Sequence, residues 1–322
     1  MKRIILLGLV VVIVVALWSG AWLWGAGQIE AYQKQFAAAD GEANPKVTCG
    51  SFAVGGYPFG FDVTCANLTV TYQDTTVMGA GLKASAEVYN PFFVKLSAKS
   101  PITIADDFTG SQSRVDFSDA EASARLDGWR IARISVIADT LVWNDTVVGD
   151  RLIATAGHAE AHLIDVPDKH DAKAGLATLD EYVLVDKLNA PGFSISAGKA
   201  TLEGEVSNVS DDVRTYGYGD LLVRWQKANG MFTLRALKGE DGDRNFSAAG
   251  NLSLDSQGRV QGQVRLNSKG VVEVISPMIP DLYRGLITGA QAADGSYSQT
   301  VNIAAGTAFV GLVPAAVIPP LF

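Results

Sequence analysis

Few residues in this chain could carry chemistry. His158, His162 and His170 are its three histidines, and they fall in one short stretch. On a strand, His158 and His162 would point to the same side. Asp165 or Asp168 could then add a carboxylate oxygen to a zinc site. The spacing matches no metal motif, so the other reading is polar residues on the wet face of a strand. Acidic pairs stand at Asp106-Asp107 and Asp211-Asp212, and Asp241-Gly242-Asp243 resembles the start of a calcium loop. It lacks the later ligands and closing Glu of an EF-hand, so these acids are expected in turns. Gly-x-Ser-x-Gly, His-Glu-x-x-His and Walker sequences are absent. A Ser-His-Asp triad needs no sequence neighbours, but nothing nominates one. The expectation is a non-enzyme with no catalytic residue, no metal and no cofactor.

Two other groups remain. Cys49 and Cys65 are the two cysteines, sixteen residues apart in a segment rich in strand signals. In an oxidising compartment they would pair, and closing that loop contributes ~3 kcal/mol in the chain-entropy model. The second group is aromatic. Gly55-Gly56-Tyr57-Pro58-Phe59-Gly60-Phe61 puts three aromatics in five residues, and Val88-Tyr89-Asn90-Pro91-Phe92-Phe93 repeats aromatic, Pro, aromatic. The Gly pair permits a tight turn and Pro58 fixes the strand entry. One reading is turn chemistry plus core packing. The other is an apolar groove, with Tyr57, Phe59, Phe61, Tyr89 and Phe92 as lipid-binding candidates.

The elements that would position these residues begin with the N-terminus. Met1-Lys2-Arg3 precedes an uncharged run, Ile4–Trp24, whose only non-hydrophobic members are Gly8, Ser19 and Gly20. As a helix this run reaches about 30 Å at ~1.5 Å per residue, the thickness of a bilayer's hydrocarbon core. Lys2 and Arg3 would stay in the cytoplasm, and Trp18, Trp22 and Trp24 would sit in the outer aromatic belt. The rival reading is a cleaved signal peptide, whose apolar region is normally ~7–15 residues with an Ala-x-Ala-like exit; the greater length of this run and the bulk of Trp22 and Trp24 favour the uncleaved anchor. Ile29, Tyr32 and Phe36 lie on one helical face, so an amphipathic stalk should follow until Asp40-Gly41 and Asn44-Pro45 stop it. This gives a cytoplasmic tip and anchor over 1–27, a stalk over 28–44 and a periplasmic β-rich domain over 45–322.

That domain is expected to be mainly β: a long curved antiparallel sheet, groove-like or two-layered, with few short helices. The clearest pattern runs from Phe246 to Asn267. Phe246, Ala248, Gly250, Leu252 and Leu254 alternate with Ser247, Ala249, Asn251, Ser253 and Asp255, a turn follows at Ser256-Gln257-Gly258, and Val260, Gly262, Val264 and Leu266 return. This is a hairpin with one wet face. Similar units are expected at Phe59–Tyr72, Ile131–Val148, Leu152–Leu163, Phe193–Val206 and Leu221–Ala236, the last turning at Lys227–Gly230. Ala172–Leu188 reads as strand in one part and helix in another. A helix is expected within Asp281–Ala293, an extended Pro-rich segment at the C-terminus, and a soft seam near 166–174.

Composition bounds the function. The 322 residues are 48% hydrophobic and 19% charged, with net charge -8. That excludes disorder and argues against nucleic acid, which needs a basic surface.

The Gly55–Phe61 segment, Cys49 and Cys65, Tyr89-Asn90-Pro91 and the Gly250–Leu266 hairpin together resemble a family of exported, single-pass proteins of Gram-negative bacteria, a domain of unknown function. The layout is also similar to AsmA-like envelope proteins. That resemblance implies an apolar sheet trough tied to phospholipid movement or outer-membrane upkeep. The resulting expectation is a single-pass protein of the bacterial inner membrane, anchored by residues 4–24, with its C-terminal domain in the periplasm. It would bind phospholipid or fatty acid in the trough, or serve as a scaffold for an envelope protein.

Overall fold

The computed structural model describes residues 2–217, 219–275, 285 and 288–322. Lys2–Ala37 forms one continuous helix, α1, so anchor and stalk are a single rod. It ends where the sequence predicts. Asp40 Oδ1 accepts the backbone N–H groups of Asn44 and Glu42, each at 3.1 Å, and turns the chain. Those bonds, Asn44's first, hold the Asp40 carboxyl below the usual carboxylate range.

The chain divides into two compact units, Met1–Ser123 with Val142–Leu152, and Ala124–Leu141 with Ile153–Phe322. In the first, β1 (Lys46–Gly55), β2 (Gly60–Tyr72), β3 (Thr75–Glu87), β4 (Asn90–Asp106) and β5 (Ser111–Asp116) pair antiparallel in succession. β6 (Asp119–Asp127) pairs with β4 and with β7 (Arg130–Asp145). β7 and β8 (Arg151–Asp165) each contribute residues to both units.

The second unit continues with β9 (Leu176–Ala190), β10 (Ile195–Ser210), a short helix α2 (Leu221–Lys227), β11 (Met231–Asp241), β12 (Arg244–Leu254) and β13 (Val260–Lys269). One turn of helix, α3 (Val272–Ile275), precedes β14 (Ser296–Ala304), β15 (Thr307–Val310) and β16 (Val313–Val317). All the strands belong to one sheet of 16, ordered almost as in sequence.

Period-2 alternation gives each unit one apolar and one polar face. In the first, Val54, Val63, Ala84 and Leu96 stand in one cross-strand row, while Ala53, Thr64, Lys83 and Ser97 stand in the next row, on the opposite face. In the second, Leu202, Leu237, Ala248 and Leu266 align, opposite Thr201, Lys238, Ser247 and Asn267. The apolar faces are not closed. Among the described residues no side chain is less than 2% exposed. Along β13, Val260, Val264 and Leu266 are half-buried, and none is buried.

The hairpin expected over Phe246–Asn267 is present, with Ala248 opposite Leu266, Gly250 opposite Val264 and Leu252 opposite Gly262. Four local expectations need correction. Leu221–Lys227 is helical rather than a strand, because tertiary contacts settle it. Trp225 Nε1 donates to the Ser207 carbonyl (2.8 Å), and Arg224 donates to that of Thr215 (2.5 Å). Gly230 lies under the indole, where a Cβ would stand 2.1 Å from Trp225 Nε1. The helical option within 172–188 is also overturned. Leu176–Ala190 is strand throughout, held by β8 and β10 on its two sides. Phe193–Val206 supplies one strand rather than a pair, and 130–145 is one long strand that takes in Thr140 at φ 53. The C-terminal segment is extended, as β15 and β16. Leu321 N–H donates to the Gly258 carbonyl at 2.9 Å. The helix expected within Asp281–Ala293 falls largely outside the described residues.

Candidate functional site

The Gly55–Phe61 segment closes the turn between β1 and β2, and it is fastened to α1. Trp18 Nε1 donates to the Pro58 carbonyl at 2.9 Å, and Trp22 Nε1 donates to that of Gly60 at 2.8 Å. Ser19 Oγ gives its proton to the Val15 carbonyl (2.7 Å), so at the 2.9 Å contact with Tyr57 the phenol is the donor. Trp22 stacks on Phe61 with centroids 5.5 Å apart and planes 11° from parallel, and meets Tyr57 edge-on at 5.5 Å. Gly25 makes room for the Phe61 ring, because a Cβ there would stand 2.8 Å from Phe61 Cζ. Ser19 and Trp22, which the sequence marks only as an interruption and a belt aromatic, and Gly25, which it does not mark at all, thus form a seat for the loop. Nothing in their spacing announces a partner some 38 residues on.

The five aromatic candidates therefore divide. Tyr57 and Phe61 lie against α1. Phe59 and Tyr89 meet at a cleft of about 320 Å³ beside the neighbouring β3–β4 turn, lined also by Asp62, Glu87, Phe93 and Lys95. The Val88 N–H bridges the two turns by donating to the Phe59 carbonyl at 2.9 Å. Phe92 lies just beyond, 41% exposed. Glu87 accepts a hydrogen bond from the Tyr89 hydroxyl, which holds that phenol above its ordinary pKa. Further along the same two strands, the disulfide Cys49–Cys65 links β1 to β2 across a Cα–Cα distance of 5.3 Å.

The histidines do not converge. His158 Nδ1 donates to Asp139 Oδ1 (2.7 Å), and His170 Nε2 bonds Asp211 Oδ2 (3.0 Å). His162 sits in a relay. Arg133 Nε–H donates to Ser135 Oγ (3.0 Å), Ser135 Oγ bonds His162 Nδ1 (2.9 Å), and His162 Nε2 bonds Glu160 Oε2 (3.2 Å). These are the residue types of a hydrolytic triad, but Ser135 is buried and its oxygen already accepts the Arg133 Nε–H. Asp165 pairs with Arg130 at 3.3 Å, and Asp168 lies in the short 3-10 turn Pro167–Lys169. Among the described residues no group of three His, Cys, Asp or Glu side chains is placed to hold a metal ion. The acids singled out in the sequence do turn work. Asp106 accepts the Thr109 N–H at 2.7 Å. Asp241 accepts the Ala197 N–H at 3.1 Å and pairs with Arg244.

One of these contacts sets a titration. The hydrogen bond that His158 donates to Asp139, with the charge of that carboxylate and then of Glu160, raises the His158 pKa above its ordinary value of 6.5. A raised imidazole pKa stabilises the fold below the unfolded value, and that contribution is lost as pH rises through the folded value. Asp139→Asn should lower the His158 pKa, as read by NMR titration of the ring. An unchanged titration would refute this account of the shift.

No curated protein and no solved structure matches the chain. A family model covers residues 22–319, beginning at the Trp22 seat and running through the whole sheet. The chain belongs to that family, the uncharacterized proteins conserved in bacteria grouped as DUF2125.

Proposed function

We propose that this is an inner-membrane-anchored periplasmic protein that holds lipid acyl chains on the apolar faces of its sheet. One observation carries the reading. Rows of Val, Leu and Ala line one face in each unit, yet apart from a few positions such as Ala248 their side chains are only half-buried. An uncovered apolar face of this length costs free energy in water, at about 25 cal/mol per Å², and an acyl chain would relieve that cost. The N-terminal helix is long and apolar enough to span a membrane, and the disulfide fits an oxidising compartment. The likeness to AsmA-like envelope proteins points the same way. The proposal assigns no catalytic residue.

A test is photo-crosslinking in cells. Benzoylphenylalanine replaces Leu82 or Val264 on the apolar faces, or Lys83 or Gln263 on the polar faces. Lipid adducts, identified by mass spectrometry, are expected at Leu82 and Val264 only. Equal labelling of both faces, or none, would overturn the proposal.

A second reading rests on a different feature. β16 ends the strand order; Leu312 just before it and Val317 at its end are 97% and 78% exposed. A partner strand could add there, making the protein a scaffold. Protein adducts at Val317 in the same experiment would favour it.

A further inference from the structure

We infer that the β1–β2 turn, residues 56–59, is a second membrane contact, seated in the outer leaflet beside α1 together with Tyr89. The inference rests on reading Ile4–Trp24 as the membrane span. It does not depend on lipid in the trough.

The first support is depth. Lys2 and Arg3 hold one end of the span at the cytoplasmic face, and about 30 Å of hydrocarbon at ~1.5 Å per residue uses all of Ile4–Trp24. The turn is bonded to Trp18, Ser19 and Trp22. Trp18 lies ~9 Å inside the outer end of that span at the same rise per residue. The turn cannot stand clear of the bilayer while these bonds hold.

The second support is polar satisfaction. Hydrocarbon supplies no hydrogen bonds, so a backbone that enters it must be paired from within. Four successive-neighbourhood carbonyls of the tip meet that demand. Gly56 O accepts the Gly60 N–H (2.9 Å) and Phe59 O the Val88 N–H (2.9 Å). Pro58 O accepts Trp18 Nε1 and Gly60 O accepts Trp22 Nε1. Pro58 has no N–H to satisfy. A turn exposed to water would need none of the indole donors.

The third support is what the tip presents. Phe59 is 66% exposed, Tyr57 52% and Tyr89 75%. Aromatic rings of this kind favour the membrane interface, where one end is apolar and the other wet. Glu87, Asp62 and Lys95 border the same cleft and would face the headgroups. The occupant is therefore a lipid surface rather than a protein or a soluble ligand.

The experiment uses the full chain in phosphatidylcholine vesicles. Both native cysteines are tied in the disulfide, so Phe59→Cys gives one reactive thiol for an NBD label. Tyr89→Cys is the second site, and Asn229→Cys, in a turn of the second unit, is the control. Nitroxide-bearing lipid should quench the labels at 59 and 89. Iodide in the water should quench them at least about threefold less than the control, the protection expected of a residue buried 5–10 Å into the interface. Iodide quenching equal to the control, in chains that co-float with vesicles, would overturn this inference and leave the anchor standing. Failure to co-float would overturn the anchor and the inference together.

Discussion

Gly250→Ala is expected to unpair β12 from β13. A Cβ at this position would stand 2.1 Å from the Gln263 carbonyl oxygen and 2.7 Å from Val264 Cα. Both are backbone atoms of the partner strand, so no rotamer change relieves the clash, and the ladder itself must open. The cost should be about 3–4 kcal/mol, at the upper end for a single substitution. Gly262→Ala, on the other strand, should behave alike, since its Cβ would stand 2.0 Å from the Asn251 carbonyl oxygen at φ +147. Gly192→Ala meets nothing within 4 Å and serves as the control. Hydrogen exchange should show lost protection along β12 and β13. Unchanged protection would mean that the two strands approach less closely than described.

The second large effect belongs to the disulfide. Cys49→Ser with Cys65→Ser should lower the stability of the first unit by about 3 kcal/mol, the entropy released when a closed loop of this size is freed. Cys65 is also one of the few buried apolar residues there, at 6% exposed, so a serine hydroxyl in its place adds an unpaired polar group. Hydrogen exchange along β1 and β2 reads the effect, and β11–β13 serve as the internal reference. Equal loss in both units would refute its assignment to this loop.

The sequence disclosed what local pattern alone decides. The β12–β13 hairpin was legible because one face is polar at every second residue, and α1 because no charge interrupts Ile4–Trp24. The disulfide followed from the expected compartment. Tertiary decisions stayed hidden. Leu221, Val223 and Trp225 alternate like a strand, and it is tertiary bonds, from Trp225 to the Ser207 carbonyl and from Arg224 to that of Thr215, that hold them as a helix. Gly250 and Gly262 read in the sequence only as members of the apolar alternation. They in fact serve the close approach of their own two backbones. The seat of the Tyr57 turn on α1 was least visible, since its partners are 38–40 residues apart and each looks ordinary alone.

The strand order has a kinetic consequence. Nearly every strand exchanges hydrogen bonds only with those next to it in the chain; β6, which reaches back to β4, and β5, which pairs with β7, are the local exceptions. Stability is then a running sum of neighbour terms, as in repeat arrays. Loop-closure entropy stays small because hardly any pairing waits for a distant segment. A β-sandwich of this length must hold early strands unpaired until late ones arrive. Here each hairpin can lock onto the last as the chain emerges N-terminus first, so little unpaired edge is exposed at any moment of synthesis.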